Sequence, residues 1–230
     1  MTQIRFDRID SGEPLDVAVN RVLIAGFTGR DAASVQEHID ELRALGVPVP
    51  DTVPTVVEVA REMLTTAETI EVDGTFTSGE VEPVLVLFSG RRWLTVGSDH
   101  TDRDVERESI ARSKQVCPKV VARTLLPLGD DNLDAVQLES WVDGEGRPYQ
   151  QGGMEAILPL GRIEEALQAA GVTLMDGDVV FLGTLPVTGG SMRPSRSFRA
   201  TLREPRAGHR IDLAYHVNVR PTSGAAYAQA

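Results

Sequence analysis

Cysteine is almost missing from this chain: among 230 residues there is only Cys117. A lone thiol excludes an internal disulfide framework and a cysteine-rich zinc site. Long apolar runs are missing too, and none approaches the ~20 residues a membrane span needs. The opening residues, Met1-Thr2-Gln3-Ile4-Arg5-Phe6-Asp7, carry charge where a signal peptide would need its apolar stretch, so cytoplasm is the expected location. Cations are in short supply, with 23 Lys and Arg against 34 Asp and Glu, a net charge of −11. That balance makes nucleic acid a poor partner, because duplex binding depends on neutralising phosphates. It also means that an anionic substrate needs a local pocket of opposite sign. There is no internal repeat, coiled coil or low-complexity segment.

What is present is the composition of an ordinary globular protein, in a chain long enough for one sizeable core. Its most informative stretch is Gly79-Glu80-Val81-Glu82-Pro83-Val84-Leu85-Val86-Leu87-Phe88. Alternation in a strand points Glu80 and Glu82 the same way, at the mouth of an apolar run. Two like charges there need a cation, a proton or open water. Ser89-Gly90 then turns the chain into Arg92–Gly97 as antiparallel partner. That hairpin returns Asp99 to Glu80 and Glu82, giving three carboxylates in one place, with Asp102 and Asp104 as alternatives to Asp99. Open water at a strand edge is the simpler reading of the two glutamates taken alone.

Elsewhere the pattern predicts strands over Gln3–Ile9 and Val17–Ile24, and a helix capped at Asp31 or Ser34 that ends at Gly46. That helix carries Val35, Ile39, Leu42 and Leu45 on one stripe. His38 and Glu41 sit three apart at its border, either an incidental pair or a base with its orienting carboxylate. Residues 47–54 read as an extended, proline-rich linker. Thr55–Leu64 reads as a strand passing into a turn, and Asp73-Gly74 as a hairpin turn. Residues 103–113 read as helical, followed by an irregular or site-lining segment at Pro118, with Cys117 a buried apolar residue. Strands follow at 136–142, 179–184, 197–203 and 210–219, with a short helix at Ile163–Ala170. Many short strands and few helices make a mixed α/β, β-rich chain. The expected organisation is one domain over 1–220, with strands, helix and linker in 1–70, a β-rich core in 71–220, and a flexible tail at 221–230.

An ordered set of short motifs over roughly residues 20–218 resembles the fumarylacetoacetate hydrolase superfamily. Glu80-Val81-Glu82 followed by apolar residues resembles its Glu-x-Glu strand. Ser98-Asp99-His100-Thr101-Asp102-Arg103-Asp104 resembles Asn-Asp-Val-Thr-Ala-Arg-Asp, agreeing at Asp99, Thr101, Arg103 and Asp104. Lys114 is similar to the lysine that follows. Asp143-Gly144-Glu145 with Gln150 or Gln151 resembles its Asn-Gly-Glu turn and glutamine, and Gly177-Asp178-Val179-Val180 with Gly183-Thr184-Leu185-Pro186 its Gly-Asp-Val-Ile and Thr-Gly-Thr-Pro pair. Gly26-Phe27 with His38 and Glu41 resembles the front Gly-x-Asn-Tyr-x-x-His-x-x-Glu, although Asn-Tyr is missing and His38 falls late. The intervals from Glu82 to Asp99 and from Asp99 to Lys114 are also shorter than the family's. The whole pattern is similar to a divergent bacterial branch of unassigned function.

The resemblance implies a fumarylacetoacetate hydrolase-like fold, with β-sheets rolled around a metal site, and a homodimer. It implies Glu80, Glu82 and Asp99 as ligands of Mg²⁺, or of Mn²⁺ or Ca²⁺, in keeping with an all-oxygen donor set. His38, Glu41 and Lys114 are then the catalytic residues, and Arg30, Gln151, Gly183 and Thr184 bind a small anionic metabolite. The implied activity is on a 2-oxo or 2,4-dioxo acid through a metal-stabilised enolate. Hydrolytic C–C cleavage leads. Decarboxylation, or dehydration and isomerisation of a sugar-derived 2-oxo acid, comes next, and a non-catalytic metabolite-binding protein of the same fold is the rival.

Overall fold

The structure is a computed structural model, and it describes residues 2–50, 52–129, 133–190 and 192–221. Two sheets make the frame. In the larger, ten-stranded one, the acidic strand Val81–Phe88 lies between Arg91–Asp99 and Asp178–Phe181, antiparallel to both. Asp178–Phe181 runs parallel to Arg21–Gly26, which pairs in turn with the edge strand Thr55–Val59. On the other side Arg91–Asp99 takes two partners, Thr124–Pro127 and Lys119–Val121. Thr124–Pro127 leads on to Thr2–Arg8 and the edge strand Pro14–Val19. The five-stranded sheet runs in the order Gln150–Gly153, Gln137–Val142, Ser197–Glu204, His209–Val219, Thr69–Val72. The expected mixed, β-rich architecture is what the chain adopts.

Alternation along the central hairpin sorts the core into two layers. Val84, Val86 and Trp93 pack with Phe6, Val17, Val19 and Phe181 on one face of the large sheet. Leu85, Leu94 and Val96 face the opposite way, against Leu138, Phe198, Leu202 and Tyr215 of the second sheet and Ile163 and Leu167 of the helix Leu160–Ala169. The hairpin is sharp because Ser89 and Gly90 both take left-handed backbone angles (φ 55° and 66°), as a two-residue turn matching strand twist requires.

Several local expectations shift. Val17–Ile24 divides into two strands at Asn20, whose side chain donates to the Asp176 carbonyl. Residues 103–113 divide into helices Arg103–Glu108 and Ile110–Gln115 at Ser109, which caps the second through its hydroxyl. Asp73-Gly74 closes no hairpin. Thr69–Val72 pairs with His209–Val219, and Thr77–Ser78 with Thr101–Asp102. Gly74 is needed for close approach: a Cβ there would stand 2.1 Å from Asp102 Oδ2. The helix Ala32–Ala44 is capped by Asp31 as expected, but of its apolar stripe only Ile39 is buried and Leu45 is 78% exposed. The tail expected to be flexible lies outside the described residues from 222 onward.

Candidate active site

The acidic hairpin builds its site by register. Asp99 donates its backbone N–H to the Glu80 carbonyl at 3.1 Å, so the two are cross-strand neighbours. Glu82 faces Gly97, where a Cβ would come within 2.6 Å of Val84 Cγ2 and 2.8 Å of Phe181 Cε1. The third strand adds Lys119, opposite Asp99. Glu80, Glu82, Asp99 and Lys119 are all buried, Asp99 and Lys119 completely.

Two short helices place the remaining charges over this row. Arg103, at the start of Arg103–Glu108, binds Ser78 Oγ at 2.7 Å and lies 3.2 Å from Glu80 Oε2. It also reaches Glu106 at 2.8 Å. Lys114, from Ile110–Gln115, stands between Glu80 (3.2 Å) and Asp99 (2.6 Å) and donates to Thr101 Oγ1. Its side chain is 12% exposed, more than those of Glu80, Arg103 or Asp99, so the cluster meets solvent on the Lys114 side.

Asp99 is unusual in how it is held. Lys114 and Lys119 lie 2.6 and 2.7 Å from its two oxygens, yet neither oxygen has a hydrogen-bond donor at a proper angle. The contacts are ionic without being directional. Burial works to raise its carboxyl, but the two ammonium groups override that and hold it at about 2. Burial likewise opposes ionisation of Glu80, and Arg103 and Lys114 reverse it, keeping the carboxyl low. Glu82 fares differently: burial and then the charge of Asp99 push it well above the carboxylate range, against Lys114. Burial draws Lys114 down, but Asp99 and Glu80 more than restore it, so its proton is firmly held. Burial lowers Lys119 as well, with Asp99 pulling the other way.

Gly183 donates its N–H to Glu82 Oε2 at 2.8 Å, in a backbone conformation (φ +110°) that glycine favours. A Cβ there would fall 1.7 Å from Thr28 Oγ1. Thr184 uses its hydroxyl to brace the strand entry, donating to the Val81 carbonyl at 2.9 Å.

The other expected residues are not brought to this cluster. His38 and Glu41 form their pair, 3.7 Å apart, with side chains 60% and 68% exposed, and the His38 ring lies near Phe27. Only Ile39 of the helix is buried, and its polar face remains in solvent. Arg30 finds its carboxylate inside the chain. It pairs with Asp134 at 2.6 Å and donates to the Ile157 carbonyl at 2.9 Å, beside a cavity of about 250 Å³ that the acidic cluster does not line. Gln151 points outward to Glu139. The inward residue is its neighbour Gln150, which accepts from the Val81 N–H at 2.9 Å and donates to Thr184 Oγ1 and the Leu185 carbonyl. Of the two glutamines that match the motif, the strand turns Gln150 inward and Gln151 outward, because one place along a strand reverses the face.

Three residues in or near the motifs serve structure. His100 is wholly buried between Tyr215 and Thr77, and burial lowers it to about 3, so it is neutral. Burial pushes the Cys117 thiol up to about 11, which makes it inert. Asp178 is bound by Arg21 and the Met175 N–H at the foot of its strand. The residue that sequence reading passed over is Lys119, because a lysine beside Cys117-Pro118 reads as exposed. Its signal was the Val120-Val121 run, which marks a buried strand.

The chemistry of the donor set suits a hard divalent cation: three carboxylates, oxygen only. Both Asp99 oxygens are met by ammonium groups, Lys119 at Oδ1 and Lys114 at Oδ2, so an ion would have to displace one of them. As they stand, no three His, Cys, Asp or Glu among the described residues are gathered closely enough to hold an ion, and the Lys114 ammonium lies between two of the candidates. No helix among the described residues is long and apolar enough to cross a membrane.

Several solved structures of similar form are named as enzymes. One is a fumarylpyruvate hydrolase from Pseudomonas aeruginosa in complex with Mn²⁺ and pyruvate. It is 16% identical with a TM-score of 0.65, over 96% of this chain and 97% of that one. Another is 5-carboxymethyl-2-hydroxymuconate delta-isomerase from Mycobacterium smegmatis, 16% identical with a TM-score of 0.64, over 96% and 100%. A third is 2-keto-3-deoxy-D-arabinonate dehydratase in its apo form, 17% identical with a TM-score of 0.64, over 90% and 76%. At such identities the likeness is one of fold alone, a fold shared with fumarylacetoacetate hydrolase-type structures. The chain belongs to the family described as "Protein of unknown function (DUF2848)", which matches residues 25–215. No curated protein matches it in sequence.

Proposed function

We propose that this chain is a divalent-metal-dependent enzyme acting on a small 2-oxo or 2,4-dioxo acid. The observation that carries the reading is the buried acidic row itself: Glu80, Glu82 and Asp99 at neighbouring positions of one hairpin, Asp99 wholly buried. Carboxylates are rarely gathered in an interior, and a cluster of them with perturbed ionisation marks a candidate functional site. That relatives in fold include a hydrolase, an isomerase and a dehydratase supports enolate-forming chemistry as the common ground.

Glu80, Glu82 and Asp99 would hold the ion, Mg²⁺ or Mn²⁺ by donor type. When bound it supplies Lewis acidity towards the carboxylate and keto oxygens of the acid. Lys114 is then relieved of balancing Glu80 and Asp99 and offers its charge to the substrate's anionic oxygen. The Gly183 N–H fixes Glu82, while Gln150 and Thr184 hold the backbone at Val81, so the ligand row is rigid. The exposed position of His38 and Glu41 bears on the reaction. Hydrolysis needs a base to activate water and isomerisation a base to take a proton from carbon, whereas decarboxylation forms the enolate by losing CO₂. With that dyad in solvent, a decarboxylase stands as the second reading beside hydrolytic C–C cleavage.

The test is thermal stability with Mn²⁺, with oxalate, and with both, followed by turnover of acylpyruvates, oxaloacetate and sugar-derived 2-oxo acids. Joint stabilisation with ion-dependent turnover is expected. Failure of Mn²⁺ and oxalate to stabilise together would overturn the proposal, and joint binding without turnover would leave a metabolite-binding protein.

A further inference from the structure

A cavity of about 570 Å³ is lined by the link between Lys119–Val121 and Thr124–Pro127 and by the strands Ser197–Glu204 and His209–Val219. None of Glu80, Glu82, Asp99, Arg103, Lys114 or Lys119 lines it. Its shape follows from register. Asp212, Ala214 and His216 alternate with the buried Leu213 and Tyr215, so they share the exposed face of their strand. Ala214 stands opposite Arg199. A methyl group between two longer side chains leaves a hollow beside the guanidinium.

Charge at this cavity runs against that of the chain. Acids outnumber Lys and Arg by 34 to 23, so an arginine has no shortage of carboxylates to meet. Yet among the described residues neither Arg123 nor Arg199 forms an ion pair, and both are exposed and line the cavity. Arg199 instead lies over the Trp141 ring, 5.6 Å from its centroid, with Trp141 opposite it in the sheet. Stacking holds the flat guanidinium and leaves its N–H edge free to donate. Of the acids at the cavity, Asp212 is already engaged. Arg210 Nε donates to both its oxygens at 2.9 and 2.8 Å, and the Thr201 hydroxyl donates to Oδ1 at 2.7 Å. Glu68 is left as the opposing charge.

We propose that this cavity binds a small phosphorylated metabolite, with its phosphoryl group on Arg123 and Arg199. Arginine forks match phosphoryl oxygens, and Thr66, Thr124 and Ser197 add hydroxyls to the lining. A bare phosphate would leave most of the volume empty, whereas about 570 Å³ falls in the range of small-molecule sites. Val121 and Phe198 supply apolar surface for the organic body. The proposal does not depend on the metal-dependent reading above.

The experiment is calorimetric titration of the full chain with phenyl phosphate, with inorganic phosphate and with phenol, fold being read by circular dichroism. Phenyl phosphate should bind more tightly than either of its parts. Arg123→Gln and Arg199→Gln should each weaken it roughly tenfold or more, the loss of one charge-assisted contact. Glu68→Gln should tighten it roughly threefold by removing the opposing charge. If Arg199→Gln fails to fold without its contact to Trp141, Arg123→Gln decides. No binding of phenyl phosphate up to about 10 mM overturns the proposal. So does binding that the folded arginine variants leave unchanged, which would put the ligand elsewhere. Inorganic phosphate binding as tightly as phenyl phosphate overturns it too, in favour of a site for the inorganic ion.

Discussion

Glu80 and Asp99 are bound to each other through the backbone and to the same ammonium through their side chains. The Asp99 N–H donates to the Glu80 carbonyl at 3.1 Å, while Lys114 Nζ lies 3.2 Å from Glu80 and 2.6 Å from Asp99. Cross-strand like charges repel when left alone. Lys114 is thus part of what lets this hairpin fold with its acids inside.

Lys114→Met should consequently destabilise the protein by about 3–5 kcal/mol, the range for removing one partner of a buried ion pair. Urea denaturation measures this, with the midpoint falling and the slope unchanged. A midpoint within error of wild type would mean the two carboxylates find their compensation elsewhere.

The buried, neutral His100 sets part of the acid limb of the stability curve. Its pKa is depressed from 6.5 to about 3 in the folded state. Below pH 6.5 the unfolded chain therefore binds a proton that the folded chain refuses. Stability from this group is whole above pH 6.5 and falls as pH drops towards 3, with a slope of about 1.4 kcal/mol per pH unit. Asp99, held at about 2 from 3.8, adds its own loss in the narrower window below pH 3.8. His100→Gln should flatten the curve between pH 3 and 6.5 and leave the lower step. Parallel curves for the two proteins would contradict the assignment.

How far the sequence reveals this arrangement varies by residue. The central hairpin is legible because it combines two short-range signals, alternation and a two-residue turn, and together they fix Glu80, Glu82 and Asp99 to one place. Lys114 and Gly183 follow from motif resemblance, and both meet the acids. What escapes are faces decided by packing at a distance. The stripe Val35, Ile39, Leu42 and Leu45 has helical period, but the helix lies outside the sheets and buries Ile39 alone. Asp73-Gly74 has turn chemistry, yet its flanking strands are claimed by two other sheets. Lys119 escapes because nothing local says that its strand will pass behind Asp99.

The adjacent glutamines offer a direct test of register. Gln150 serves the Val81 N–H, Thr184 Oγ1 and the Leu185 carbonyl, all inside the protein, and Gln151 serves only Glu139 on the surface. Gln150→Ala leaves buried backbone groups unpaired and should cost about 1–3 kcal/mol or more. Gln151→Ala should stay within about 0.5 kcal/mol of wild type. Thermal unfolding of the pair separates them, and equal losses would show that the strand Gln150–Gly153 is slipped by one residue.

The surface dyad supplies the sharpest test of which chemistry the site performs. His38 and Glu41 are 3.7 Å apart and more than half exposed, on a helix whose tie to the core is Ile39. A base in that position activates water only if the helix is carried to the acidic cluster when substrate binds. If it stays where it is, His38→Ala leaves stability within about 0.5 kcal/mol and turnover within about twofold, because no reacting atom meets the imidazole. General base catalysis contributes about 10²–10⁴-fold, so its loss would be unmistakable. We expect the small effect, measured as kcat on whichever 2-oxo acid the substrate panel identifies. A hundredfold fall in kcat with unchanged stability would instead place His38 over the substrate in the working enzyme. It would favour hydrolytic C–C cleavage over decarboxylation.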